Sequence, residues 1–299
     1  MIRGKNLTKK FGDKTALDSV NFEIEDGSIY GLIGSNGSGK STLMRLFSGV
    51  YMPDSGEITI DSCPVFDNPI LKYQVAFLGD TPYFLSHSNL DDMSKFYESM
   101  YPSFDRSVYN HLTEIFPLDR KKNISAMSKG MQRQAALILS MSLCPRYLLL
   151  DEAFDGLDAV MRKVLKLMLV DGIEKRGMTA IIASHNLREL EDLCDHVGLI
   201  HDGHILFNND VETLRGNLHK LQAAFAKIPE QTVFNGLDIL HFERSGSILQ
   251  MVVRGDEQEI LSYVNKLGPV FAECIEPSLE EMFLYELEVK GYDVKNILK

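Results

Sequence analysis

Nine consecutive residues, Gly34-Ser35-Asn36-Gly37-Ser38-Gly39-Lys40-Ser41-Thr42, carry the clearest chemistry in this chain. They fit G-x-x-x-x-G-K-[ST], a loop that cradles phosphate groups. Gly34, Gly37 and Gly39 let the backbone turn tightly, so that bare N–H groups approach phosphate oxygens. Lys40 is placed to reach the β- and γ-phosphates, and the Ser41 hydroxyl to bind magnesium. The apolar run Ile29 to Ile33 precedes the loop, and Leu43, Met44, Leu46 and Phe47 follow at helical spacing. The motif needs that strand-then-helix context, because the helix adds the positive end of its dipole. These residues predict a nucleoside triphosphate site.

A second group is Asp151-Glu152, which closes the apolar run Leu148-Leu149-Leu150. Adjacent acids at the end of a buried strand need a reason, since burying unpaired charge is costly. A nearby phosphate loop supplies it: Asp151 holds the magnesium shell, and Glu152 polarises the attacking water as general base.

The elements that position these groups follow from periodicity. Residues 1 to 33 read as short strands, among them Ala16 to Ile24. Further strands are expected at Glu57 to Asp61 and Val75 to Leu78. From Leu90 the spacing turns helical: Leu90, Met93, Phe96, Tyr97 and Met100, then Val108, Leu112, Ile115 and Phe116 behind a cap at Asp105. A third helix runs from about Ser128 to Leu143. Strands return at Tyr147 to Leu150 and Thr179 to Ala183, with helices at Val160 to Leu169 and Leu187 to Cys194. A hairpin turns at Asp202-Gly203. This is a doubly wound α/β pattern, with ligands expected at the carboxyl ends of the strands. It gives a nucleotide-binding domain over 1–217, with a helical subdomain at about 82–145. Residues 218–299 mix strands and helices without a chemical motif and read as a small α+β accessory domain.

Bulk properties narrow the class. The chain has 299 residues, 44% hydrophobic and 24% charged, with a net charge of -11. An acidic balance argues against nonspecific nucleic-acid binding. Cys63, Cys144, Cys194 and Cys274 form no C-x-x-C pair, which suits a reducing compartment. No apolar run reaches the ~18 residues of a membrane span, and no signal peptide is read at the start.

The ordered set of motifs resembles the ABC-type ATPases. It comprises the P-loop, Met127-Ser128-Lys129-Gly130-Met131-Gln132, Asp151-Glu152, Gly156-Leu157-Asp158 and Ser184-His185, and covers roughly residues 1 to 215. The resemblance implies a P-loop NTPase core with an antiparallel β subdomain and the inserted helical subdomain. By the same resemblance, Phe11 stacks on adenine, and Ser128 and Gly130 touch the γ-phosphate held by an opposite protomer. Asp158 couples the two sites, and His185 senses the γ-phosphate and fixes the attacking water. The implied cofactors are ATP and Mg2+. The implied partners are a second ATPase protomer, as homo- or heterodimer, and a separately encoded integral membrane permease, with no nucleic acid. The expected place is cytoplasmic, on the inner face of the membrane.

Three positions, in two motifs, depart from the family pattern. Lys129 and Met131 stand where a glycine and a glutamine are usual. Asp80, after Val75 to Leu78, stands where the family carries a magnesium-contacting glutamine, and is expected to ligate magnesium as a substitute. Glu276 to Phe283 is similar to a closing motif of the ATPase subunits of ABC-2-type exporters, which points to an exporter. The rival reading is a soluble ABC-type ATPase acting on nucleic acid or ribosomes. Such chains usually carry two cassettes or a long coiled-coil insertion, and this one has neither.

Overall fold

A computed structural model of the chain describes residues 1–215 and 218–289. The backbone divides into two compact units, the first Met1–Asn208 and the second beginning at Asn209.

The first unit opens with β1 (Ile2–Phe11) and β2 (Lys14–Ile24), which pair antiparallel. Both are longer than the short strands expected, because pairing continues through register shifts near Leu7 and Lys9. Next come β3 (Ile29–Ile33), α1 (Lys40–Phe47), β4 (Ser55–Ile60), the two-residue β5 (Cys63–Pro64) and the single turn α2 (Pro69–Lys72). After β6 (Val75–Leu78) the chain turns helical with α3 (Leu90–Met100), α4 (Arg106–Ile115) and α5 (Lys129–Ser142). It then returns through β7 (Tyr147–Asp151), α6 (Ala159–Arg176), β8 (Thr179–Ser184), α7 (Leu187–Leu190), β9 (His196–His201) and β10 (His204–Asp210).

Two sheets organise this unit. One has the order β2-β1-β4-β5, the other β10-β9-β3-β8-β7-β6. Strands β3, β6, β7, β8 and β9 run parallel, with Ile29 opposite Ala180 and Leu78 opposite Leu150. Every residue of β3, β7 and β8 is buried, as a parallel strand covered on both faces requires. Helix α1 joins the sheets: Leu43, Met44, Leu46 and Phe47 share one core with Leu7, Leu17 and Phe22 and with Leu32, Leu149 and Ile181. Each such side chain contributes roughly 1.5–3 kcal/mol of burial. The phosphate loop is thereby built on a rigid base.

Caps set the helix ends of the insert. Asn89 and Asp92 form a reciprocal capping box at α3, Asp105 caps α4, and Ser128 caps α5. Asp91 ties the insert together, accepting from Tyr109 Oη (2.8 Å) and Arg120 Nε (2.8 Å). Helix α6 runs past Leu169 to Arg176 and stops at Gly177, whose φ of 63° is left-handed. Helix α7 is one turn, shorter than its apolar spacing predicts. Asp195 draws the chain into the sheet there: its carboxylate accepts from Ile29 N–H at 2.7 Å and its own N–H donates to the Ile29 carbonyl at 2.9 Å.

The second unit contains α8 (Val211–Arg215), β11 (Leu218–Ala224), β12 (Asp238–Ser245), β13 (Ile248–Arg254), α9 (Glu257–Asn265), β14 (Phe271–Ile275) and α10 (Leu279–Val289). Its sheet has the order β12-β13-β11-β14, over a core of Leu221, Phe234, Met251, Val253, Ile260 and Val264. The closing motif has a local explanation. Ser278 Oγ accepts from Glu281 N–H (3.2 Å) and the Glu281 carboxylate accepts from Ser278 N–H (2.9 Å), a capping box that starts α10.

Candidate nucleotide site

The carboxyl ends of β3, β7 and β8 converge on an open cleft of about 450 Å³. It is lined by Phe11, Asn36, Gly37, Gly39, Lys40, Ser41, Thr42, Asp80, Glu152 and His185, all expected from the sequence. Lys14, Ala16 and Asp155 line it too, and none of the three was expected as a site residue.

The loop geometry follows from its glycines. Gly39 has φ +117°, and a Cβ there would lie 2.8 Å from the Ala16 carbonyl; only glycine fits both demands. Lys40 is nearly buried, and its ammonium donates to the Gly34 (2.6 Å) and Ser35 (3.1 Å) carbonyls. It also lies 3.4 Å from Glu152 Oε1. On its other side Glu152 Oε2 is 3.0 Å from His185 Nδ1. A cation, a carboxylate and an imidazole thus form a continuous row across the cleft. Glu152 holds φ +52°, an uncommon conformation for a residue with a Cβ and one that clusters at functional sites. The turn carrying His185 is fixed from behind: Ser184 Oγ donates to the buried Glu189 carboxylate (3.0 Å) and accepts from Asn186 N–H (3.0 Å).

These features are matched among known proteins. The family described as "ABC transporter" matches residues 17–155. The lantibiotic transport ATP-binding protein SrtF of Streptococcus pyogenes is 30% identical over 214 residues, covering 71% of this chain and 92% of that one. The chain belongs to the ABC transporter ATP-binding proteins. The ABC transporter ATP-binding protein YtrB of Bacillus subtilis is 28% identical over 284 residues, 95% of this chain and 97% of that one, so the likeness extends into the second unit. A solved ATP-binding subunit of an ABC transporter superposes with a TM-score of 0.67 at 25% identity, covering 72% of this chain and 92% of that one. The chain is therefore an ATP-binding subunit and an ATPase of this family, with its P-loop core, and the family implies ATP as its nucleotide.

Not every expected residue of this ABC ATPase reaches the cleft. Ser38 is buried beneath the loop. Ser128, Gly130 and Asp158 are absent from its lining. Ser128 Oγ accepts from Met131 N–H (3.3 Å), and Asp158 Oδ1 accepts from Met161 N–H (2.9 Å). Gly130 packs directly on the loop before α6, since a Cβ on it would lie 2.6 Å from the Gly156 carbonyl.

Asp151 tests whether the site fits a divalent cation. It is fully buried, and neither carboxylate oxygen has a hydrogen-bond partner. Burial pushes its pKa up; the Ser41 hydroxyl is near enough to oppose this but is not placed to bond to either oxygen. A buried, unsatisfied carboxylate beside a hydroxyl is the donor set a hard, oxygen-seeking cation takes. The residues fit. Asp80 is not free beside it: its Oδ1 is 3.3 Å from Arg133 Nη2, a residue that no sequence motif singled out.

Proposed function

We propose that this ATPase drives a separately encoded membrane permease, in the direction of export, by ATP-dependent closure of a dimer. The carrying observation is the row Lys40–Glu152–His185 in a cleft lined by the phosphate loop, with contacts of 3.4 and 3.0 Å. Export is supported by the Glu276 to Phe283 motif, similar to a closing motif of the ATPase subunits of ABC-2-type exporters.

Placement supports a role for each residue. The loop backbone from Gly34 to Thr42 and Lys40 hold the phosphates, and Phe11, 45% exposed at the cleft edge, offers a face for adenine. Glu152 accepts the proton of the attacking water, and His185 orients that water and the γ-phosphate. Ser41, Asp151 and Asp80 would hold Mg2+, which when bound neutralises phosphate charge. Ser128, Gly130 and Asp158, absent from the lining of their own chain's cleft, complete the site of a second protomer. Among the described residues no helix is long and apolar enough to cross a membrane. Attachment to the inner face of the membrane is therefore assigned to the permease, docked on the helical insert and the loop around Asp80. The exposed Tyr73, Tyr83 and Phe96 offer apolar surface there.

Glu152→Gln tests this reading. Hydrolysis should fall at least about 100-fold, the scale of general-base loss, while ATP still brings two chains together, as measured by light scattering. Turnover at the wild-type rate would remove Glu152 from the role of base. ATPase stimulation by RNA, and not by permease-containing vesicles, would favour the rival nucleic-acid reading.

A further inference from the structure

Arg133 is a charge taken almost wholly out of water and left unused by the roles above. It lies on α5, five residues beyond Ser128, with its side chain 9% exposed. Its guanidinium spans two segments far apart in sequence. Nη1 donates to the Asp151 carbonyl at 3.2 Å, and Nη2 donates to the Asp80 carbonyl at 2.8 Å and to Asp80 Oδ1 at 3.3 Å. A buried guanidinium needs acceptors and a countercharge. Among the described residues Asp80 is the one carboxylate within ion-pair distance of Arg133. Asp80 is itself 63% exposed, so water could solvate it without help, whereas Arg133 depends on it. Asp80 also lines the cleft, as Ser41 does. One carboxylate therefore faces both the helix that begins at Ser128 and the place where a cation fits.

We propose that Arg133 is a positioning residue for ATP hydrolysis. It fixes the Asp80 carboxylate relative to the end of β7, so that α5 sets where the cation-facing oxygens stand. The planar fork of arginine suits this task, because it can bond two carbonyls and a carboxylate at once; a lysine ammonium is a point charge without that geometry. A displacement of α5 then moves Asp80 as well, which links the helical insert to the cation. The proposal rests on the reading of the cleft as an ATPase site.

The test pairs Mg2+ titration calorimetry of the full chain holding a non-hydrolysable ATP analogue with ATP hydrolysis as a function of Mg2+ concentration, for wild type, Arg133→Gln, Arg133→Lys, Asp80→Asn and the Arg133→Gln/Asp80→Asn double variant. Arg133→Gln should lower kcat at least tenfold and raise the half-maximal Mg2+ concentration at least threefold, with KM for ATP within twofold. Arg133→Lys should recover part of both losses. Asp80→Asn should shift the same Mg2+ midpoint, and the double variant should be no worse than Arg133→Gln alone. Losses that multiply in the double variant, or an unmoved midpoint in both single variants, overturn the proposal. If Arg133→Gln fails to fold, Asp80→Asn still decides, since its carboxylate is exposed; an unchanged kcat and midpoint there is the negative result. A wild-type chain that neither binds nor hydrolyses ATP would instead refute the ATPase reading, a distinct outcome.

Discussion

Asp151 shows how one side chain can work against stability. Its two carboxylate oxygens sit in a fully buried place without a hydrogen bond. An unsatisfied buried group costs about 1–3 kcal/mol, more when charged. Asp151→Asn should therefore raise the melting temperature of the nucleotide-free chain by a few degrees while lowering Mg2+-dependent hydrolysis at least about 100-fold. Thermal melts with and without Mg2+ check this, and a fall in melting temperature would mean that the carboxylate has a stabilising partner. The neighbouring Glu152 was legible in the sequence by its position after an apolar strand. Its left-handed φ and its contacts with Lys40 and His185 were not, because they depend on how β3, β7 and β8 align. Arg133 was illegible for a related reason. It reads as one more polar residue in a helix until α5 is laid against the ends of β6 and β7.

At the scale of elements, the helical insert is held by side chains from separate segments. Burial alone would raise the Asp91 carboxyl, but the bonds from Tyr109 and Arg120 outweigh this and hold it below its ordinary value of 3.8. A depressed carboxyl contributes stability that is present above the unfolded pKa and is lost as pH falls through the folded one. The insert should accordingly loosen below about pH 4. Asp91→Asn should lower the melting temperature at neutral pH by about 2–4 °C, equivalent to ~1 kcal/mol for a partly exposed pair, and flatten the acid side of the pH–stability curve. An unchanged acid limb would assign the loss to other carboxylates. The insert's helices were legible from apolar spacing and from caps such as Asp105. The single turn of α7 was not, because Leu187, Leu190, Leu193 and Cys194 keep helical spacing while Asp195 bonds to β3 and ends the helix.

At the scale of the whole molecule, two compact units predict two unfolding transitions. A ligand stabilises what it binds, by about 2.7 kcal/mol at a hundredfold excess over Kd. In the Glu152→Gln variant, MgATP should raise the transition of the first unit by roughly 5–10 °C and leave that of the second in place. Equal shifts in both, seen by scanning calorimetry, would show that the chain unfolds as one. The motifs of the first unit were legible because they occur in a fixed order along the chain. The second offered strands and helices but no chemistry, and the structure adds the capping box that accounts for Ser278 and Glu281.

The parallel pairing of β6 and β7 has a mechanical consequence. The insert leaves the sheet at Leu78 and re-enters at Tyr147, which sits opposite Val75. The two tethers are therefore at opposite ends of adjacent strands, roughly 10 Å apart along them at about 3.3 Å per residue. The insert is therefore joined to the sheet at two separated points on neighbouring strands, and not at one. Helix α5 packs against β6 and so lies beside these points. A pull on either connection is thus carried by β6 and β7 together, through the hydrogen bonds of their shared ladder.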